Sequence, residues 1–288
     1  MFRLAHVTDP HFRGFYGARP WQFVNKRAAG LLNLIVSRRR KHRMERLEDM
    51  GRDLRGRPFD HLALTGDLGN VALDGEWETA RAWIEQCGAP ATVTVIPGNH
   101  DTYIDSVVEA GTFERLFAPY QTADLRGGEH IYPFVRFRGD VALVAVNTCV
   151  PTHSLGAWGR IGSEQMQRLE ALLTAPEVAR RLRVVLIHHP PVRHKGGEDR
   201  QLRDRADLVA LLRKTGADLV LHGHDHRDER TTLEGPGGAK IPVVGAGSAS
   251  YAKASRYNVY EIEGRAITAV TYAHDGTGAY QELTREAL

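Results

Sequence analysis

Residues 4–11 read Leu-Ala-His-Val-Thr-Asp-Pro-His, a short apolar run that stops at an acid, a proline and an imidazole. A run of this length closed by a proline has strand character, because proline offers no N–H and restricts the residue before it. The same arrangement recurs four times. His61 to Thr65 ends at Gly66-Asp67, and Ala91 to Ile96 ends at Pro97-Gly98-Asn99-His100-Asp101. Leu182 to Ile187 ends at His188-His189-Pro190-Pro191, and Asp218 to Leu221 ends at His222-Gly223-His224-Asp225-His226. Between these runs, apolar residues fall at helical spacing: Met44, Leu47 and Leu54; Trp77, Ala80 and Ile84; Leu169, Leu172 and Leu173; Leu208, Leu211 and Leu212, the last set stopped by Gly216. This alternation predicts an α/β layered fold with its chemistry at the strand ends. The stretch Arg230 to Tyr272, turning at Gly235-Pro236-Gly237-Gly238, predicts several short strands that complete a second sheet.

The 288 residues are 42% hydrophobic and 25% charged, the balance of a globular chain rather than a disordered or fibrous one. No repeat or linker interrupts them, so the reading is a single domain, 1–288, with an insertion at about 12–42. Two cysteines, Cys87 and Cys149, exclude a disulfide framework or a thiolate zinc cluster. The opening residues read as a strand rather than a signal peptide or membrane span, and the expected location is cytoplasmic. A net charge of +3 gives no expectation of nucleic-acid binding, but the charge is uneven. Residues 12–57 hold 13 Lys/Arg against 4 Asp/Glu.

Within the insertion, Val24, Ala28, Leu31, Leu32 and Ile35 stand at helical spacing and Arg38-Arg39-Arg40-Lys41-His42 follows. That pattern predicts an amphipathic basic helix. It fits a surface helix with its apolar face packed inward, a lid presenting arginine to an anionic substrate, or a peripheral contact with anionic membrane.

Asp9, His11, Asp67, Asn99, His188, His224 and His226 together make two carboxylates, one amide and four imidazoles. Gathering such a set is unfavourable without a cation, and oxygen and imidazole donors without thiolate suit Mn, Fe, Zn or Co. Seven donors exceed the needs of one ion, so two divalent or mixed-valence ions are implied. Two adjacent metals can clamp a phosphate and offset charge on its attacking and leaving oxygens.

Asp9-x-His11, Gly66-Asp67, Gly98-Asn99-His100-Asp101, His188 and Gly223-His224-x-His226 resemble, in order, the five motifs of the calcineurin-like metallophosphoesterases. The resemblance spans residues 4–226 and implies a four-layer α/β/β/α sandwich of two mixed sheets flanked by helices. It implies further that Asp9, His11 and His226 hold one metal, that Asn99, His188 and His224 hold the other, and that Asp67 bridges them. The family pattern selects His188 over His189 as ligand. His100 would contact the phosphate or protonate the leaving oxygen, Asp101 would orient it or keep its pKa high, and the nucleophile would be a hydroxide bridging the metals.

The Gly-Asn-His-Asp form is most similar to class III cyclic nucleotide phosphodiesterases, which makes a small phosphodiester the expected substrate. The UDP-diacylglucosamine pyrophosphohydrolases are a second relative. Their third motif typically carries Arg where this chain has His100, yet the basic insertion would suit a lipid-linked phosphate. The same donor set would also serve a phosphatase acting on monoesters. A non-catalytic binding scaffold is the reading from another class, and the completeness of the donor set argues against it. Arg13, His153 and His189 are candidate substrate contacts. His6 and His61 read as packed or surface residues and His222 as a neighbour of the ligands. His42, His130 and His274 lack motif context and read as structural or exposed.

Overall fold

In the computed structural model of the chain, residues 1–33, 39–153, 156–193 and 197–288 are described. Ile35 and Arg38 of the expected basic helix lie outside them. Strands β1 (Phe2–Val7), β2 (His61–Thr65) and β3 (Val93–Ile96) are followed by β4 (Leu125–Arg126), β5 (Phe134–Arg138) and β6 (Val141–Ala145). Then come β7 (Leu182–Leu186), β8 (Leu219–His222), β9 (Asp228–Glu234), β10 (Lys240–Ala246), β11 (Arg256–Glu263), β12 (Ala266–His274) and β13 (Tyr280–Ala287). They form two mixed sheets, one in the order β13-β12-β11-β1-β2-β3 and the other β4-β5-β6-β7-β8-β10-β9.

Side-chain alternation along the strands builds the layers, since successive residues of a strand face opposite ways. Ala5, Val7, Leu62, Leu64, Val93 and Val95 pack with Leu47, Leu54, Trp77 and Ile84 of the helices Met44–Gly56 and Asp74–Cys87. On the other sheet, Ala142, Val144 and Val185 pack with Leu169, Leu173, Leu208 and Leu212 of the helices Ser163–Thr174 and Arg205–Thr215. The intervening residues Leu4, Ala63, Ile96, Leu143, Ala145, Val184 and Leu186 form a third core between the sheets. The result is the α/β/β/α sandwich the motifs imply.

Two expectations need correction. The C-terminal strands do not all complete one sheet: β9 and β10 extend the second, whereas β11, β12 and β13 extend the first, with β11 antiparallel to β1. The expected third strand begins late because Pro90 starts a 3-10 turn over Pro90–Thr92.

The insertion also departs from its expected form. Its helix covers Lys26–Asn33, and the apolar residues Val24 and Leu32 are exposed at 84% and 64%. A basic residue, Arg27, is the buried one. Its Nε donates to Val71 O at 2.8 Å and its Nη2 to Ala72 O at 2.5 Å. Charge-assisted hydrogen bonds to a loop, rather than an apolar face, hold this helix down. No helix of the described residues is long and apolar enough to cross a membrane.

Between the sheets lie two polar pairs, His6 Nε2 with Thr65 Oγ1 and His61 Nε2 with Thr94 Oγ1, each at 2.8 Å. Burial, aided by Arg138 and Arg136, pushes the His61 imidazole down to about 2. In the unfolded chain the same group titrates near 6.5, so the unfolded state takes up the proton first as pH falls. The native state therefore keeps the full benefit of neutral His61 above about 6.5 and loses about 2 kcal/mol of it between pH 7 and pH 5. Urea unfolding of chelated protein at both pH values, compared with His61→Asn, should show the variant's pH slope reduced by that amount. Equal slopes would overturn this account of His61.

Candidate metal centre

Asp9, His11, Asp67, His224 and His226 all take left-handed backbone, with φ from 50° to 73°. The region is unfavourable for residues with a β-carbon, and such strain persists where surrounding structure enforces it. Among the described residues Ala72, at 59°, is the one other non-glycine that does so. Immediately after β1, β2 and β8, the chain thus turns side chains back over the strand ends and toward one another.

Close approach of the loops requires glycine at two of the motif positions. A β-carbon on Gly98 would overlap the backbone N and Oδ1 of Asp67, and one on Gly223 would overlap Thr8 Oγ1. Asp101, fully buried, ties the second and third strand ends together. It accepts from the backbone N–H of Gly98, Leu68 and Gly69 at 2.9–3.0 Å and from Trp77 Nε1 at 3.1 Å. Burial raises its carboxyl above the usual value, against the pull of these four donors.

Backbone carbonyls set the imidazole tautomers. His11 Nδ1 meets Gly69 O at 3.1 Å, His188 Nδ1 meets Thr65 O at 2.7 Å, and His224 Nε2 meets Arg200 O at 2.9 Å. A carbonyl oxygen only accepts, so each of these nitrogens carries a hydrogen, and in the neutral ring the other nitrogen presents a lone pair. Those second nitrogens converge. His188 Nε2 lies 3.1 Å and His224 Nδ1 2.9 Å from Asn99 Oδ1, three acceptors pointed at one place. His11 Nε2 lies 3.0 Å from His226 Nε2, and the ligand atoms of Asp9, His11, Asp67 and His226 all fall within 4.8 Å of one another.

Asp9 contributes both its oxygens unequally. Oδ2 accepts from Thr8 Oγ1 and His224 N, whereas Oδ1 is buried with no hydrogen bond and has His226 Nε2 at 3.2 Å. Burial pushes the Asp9 carboxyl up, but His226, with His188 and Thr8, outweighs it and holds the group at about 2. Burial, reinforced by His189, His188 and His226, keeps His224 well below its usual value. An ionised carboxylate and neutral imidazoles are the forms that bind cations. Asp67 stands between the two clusters: Oδ1 is 3.5 Å from His188 Nε2 and Oδ2 is 3.9 Å from His11 Nε2.

His100 borders this centre, its ring 5.2 Å from that of His11 and stacked on Tyr103. Its Nδ1 meets Asn70 O at 2.6 Å and its N–H donates to Asp67 Oδ1 at 2.8 Å. The Asn70 carbonyl holds the His100 ring, and the Asp101 carboxylate is taken up by the two loops. His189 is buried beside the centre, with Nδ1 on Thr148 Oγ1 and Nε2 on Ala157 O. His153 is exposed, 3.9 Å from Asp199, and Arg13 is half-buried two residues beyond His11.

His42, expected to be structural or exposed, lies close to the site. It is buried, and its ring centroid lies 4.6 Å from that of His11 and 5.2 Å from that of His226. No motif marks it, since tertiary packing brings it there across 31 residues of chain. Ser248 escapes sequence reasoning as well. Its Oγ donates to Asp9 O at 2.8 Å and so braces the first strand end. The Gly-Ser-Ala-Ser run at 247–250 is the available signal.

Residues 2–228 match the model of the calcineurin-like phosphoesterase family. The chain belongs to that family. Among curated proteins, a probable cyclic nucleotide phosphodiesterase of Rhodococcus erythropolis is 28% identical over 67% of this chain and 58% of its own length. A cAMP/cGMP dual specificity phosphodiesterase of Mycobacterium tuberculosis is 25% identical over 86% of this chain and 67% of its own. The chain thus spans little more than half of the first of these relatives. Solved structures share the calcineurin-like fold: a dimetal phosphatase from Danio rerio superposes with a TM-score of 0.64 at 14% identity, covering 98% of both chains. A purple acid phosphatase from yellow lupin gives 0.61 at 16% identity, over 98% of this chain and 52% of its own.

Replacing Asp101 by Asn would set an amide N–H₂ against backbone donors and leave one or more without an acceptor. Asp101→Asn should lower the unfolding free energy by about 2–3 kcal/mol and weaken metal binding by loosening the Asp67 loop. Urea denaturation and metal titration check this, and a variant as stable as the wild type would contradict the clamp role.

Proposed function

We propose that this chain is a metal-dependent phosphodiesterase that hydrolyses small phosphodiesters, cyclic nucleotides among them. Asp9, His11 and His226 would hold one ion and Asn99, His188 and His224 the other, with Asp67 shared. The observation that carries the reading is the position of Asp67, whose two oxygens face two separate clusters of inward lone pairs. Acceptors so placed repel one another unless cations lie among them. When bound, divalent ions at such clusters supply charge neutralisation for a phosphate and acidify a water molecule.

The chain's own part is to position and to move a proton. His100, with Nδ1–H donated to Asn70 O, would turn Nε2 toward a bound phosphodiester and protonate the leaving oxygen from there. The Asn70 carbonyl would also stabilise the protonated ring. Asn70 is itself held, its Nδ2 donating to His11 O and Phe12 O. The cyclic nucleotide assignment is supported by the names of the two curated relatives and by the Gly-Asn-His-Asp form of the third motif.

Bis-p-nitrophenyl phosphate should be cleaved faster than p-nitrophenyl phosphate, cleavage should stop on chelation, and Mn²⁺ should restore it. Preference for the monoester would replace diesterase by phosphatase. His100→Ala should lower turnover by about 10²–10⁴-fold while two metals per chain remain on elemental analysis. Loss of a metal would instead make His100 a ligand.

A lipid-linked phosphate is the second reading, favoured by the exposed Trp21, Val24 and Leu32 in the same insertion as the exposed basic Arg40 and Lys41. Cosedimentation with anionic but not neutral vesicles, lost in Arg40→Glu/Lys41→Glu, supports peripheral membrane contact through 12–42. Absence of sedimentation removes it.

A further inference from the structure

His42 closes the basic insertion, and the loop that holds it also braces the first strand end. It forms an antiparallel bridge with Tyr251, Arg43 N donates to Ser250 O at 2.8 Å, and Ala252 N donates to Lys41 O at 2.7 Å. The same loop braces Asp9 through Ser248. His42 Nδ1 lies 2.8 Å from Ser250 Oγ, which itself lies 3.5 Å from Asp9 O. With the hydroxyl accepting from Nδ1, the imidazole lone pair lies on Nε2. A ring anchored through one nitrogen with a lone pair on the other is the arrangement of metal-binding histidines. Ligand atoms of His11, His42 and His226 all lie within 4.8 Å of one another, with His11 and His42 buried.

From this arrangement we infer that His42 is an additional ligand, through Nε2, to the metal that Asp9, His11, Asp67 and His226 would hold. The inference rests on the two-metal reading and adds to the motif residues a donor that no motif contains. Its chemistry is a third imidazole on one of the two ions, which would make that ion's site richer in nitrogen than the Asn99 site. It also ties the insertion to the metal centre, since the last residue of the basic stretch would be fixed by the ion.

Mn²⁺ titration by calorimetry and NMR of the Co²⁺-loaded protein test this without recourse to turnover. Wild type should take two Mn²⁺. His42→Gln should raise the dissociation constant of one of them by about tenfold or more, leave the other unchanged, and remove one paramagnetically shifted imidazole N–H resonance from the Co²⁺ spectrum. Two sites of unaltered affinity with an unaltered Co²⁺ spectrum would overturn the assignment. Should His42→Gln fail to fold, Ser250→Ala keeps the ring and removes the acceptor of its Nδ1–H. One shifted N–H resonance should then exchange faster with solvent, and if none responds the assignment falls. Fewer than two Mn²⁺ in the unsubstituted protein would bring down the two-metal reading itself, a failure visible before any substitution is made.

Discussion

Inward-facing lone pairs are the constraint on which the rest of this molecule depends. Three imidazoles surrender their outer N–H to the carbonyls of Gly69, Thr65 and Arg200, and their second nitrogens then crowd around Asn99 Oδ1, Asp9 and Asp67. Left alone, such a gathering is repulsive and buried, so the fold must press it together and something positive must relieve it. The pressing is done by backbone. Left-handed residues at Asp9, His11, Asp67, His224 and His226, loops brought within contact by Gly98 and Gly223, and the Asp101 carboxylate all act toward that end.

The sandwich supplies the rigidity this requires. Parallel β1, β2 and β3 in one sheet and parallel β7 and β8 in the other deliver their C-terminal ends to the same edge. A core between the sheets, apolar except for rungs such as His6 with Thr65 and His61 with Thr94, keeps those edges in register. The C-terminal strands contribute twice. β11 pairs with β1 and fixes the first strand from its far side, while the loop after β10 sends Ser248 and Ser250 to the Asp9 carbonyl.

The insertion reverses the usual division of labour on a surface helix. Its arginine is buried on loop carbonyls while Trp21, Val24 and Leu32 face outward, and Lys26 reaches both Thr152 and the face of Tyr103, the residue stacked on His100. The insertion thus approaches the centre twice, Lys26 over Tyr103 and His42 beside His11 and His226.

What is legible in the sequence is local. A polar residue set off by Gly or Pro at the end of a short apolar run marks a strand end, and five such ends in order are sufficient to identify the α/β class and the family. Alternation along each strand likewise announces which residues are covered on both faces. What the sequence does not display is anything that depends on two distant segments meeting. The split of the last strands between two sheets, the hold of the Asn70 carbonyl on His100, and the burial of Arg27 in place of Val24 are settled by which partner lies within hydrogen-bonding distance after folding. His42 is the clearest instance: nothing around it in the chain distinguishes it from an exposed histidine at the end of a basic run. Its place beside His11 follows from one loop, residues 248–252, that pairs with it and supports Asp9 at the same time.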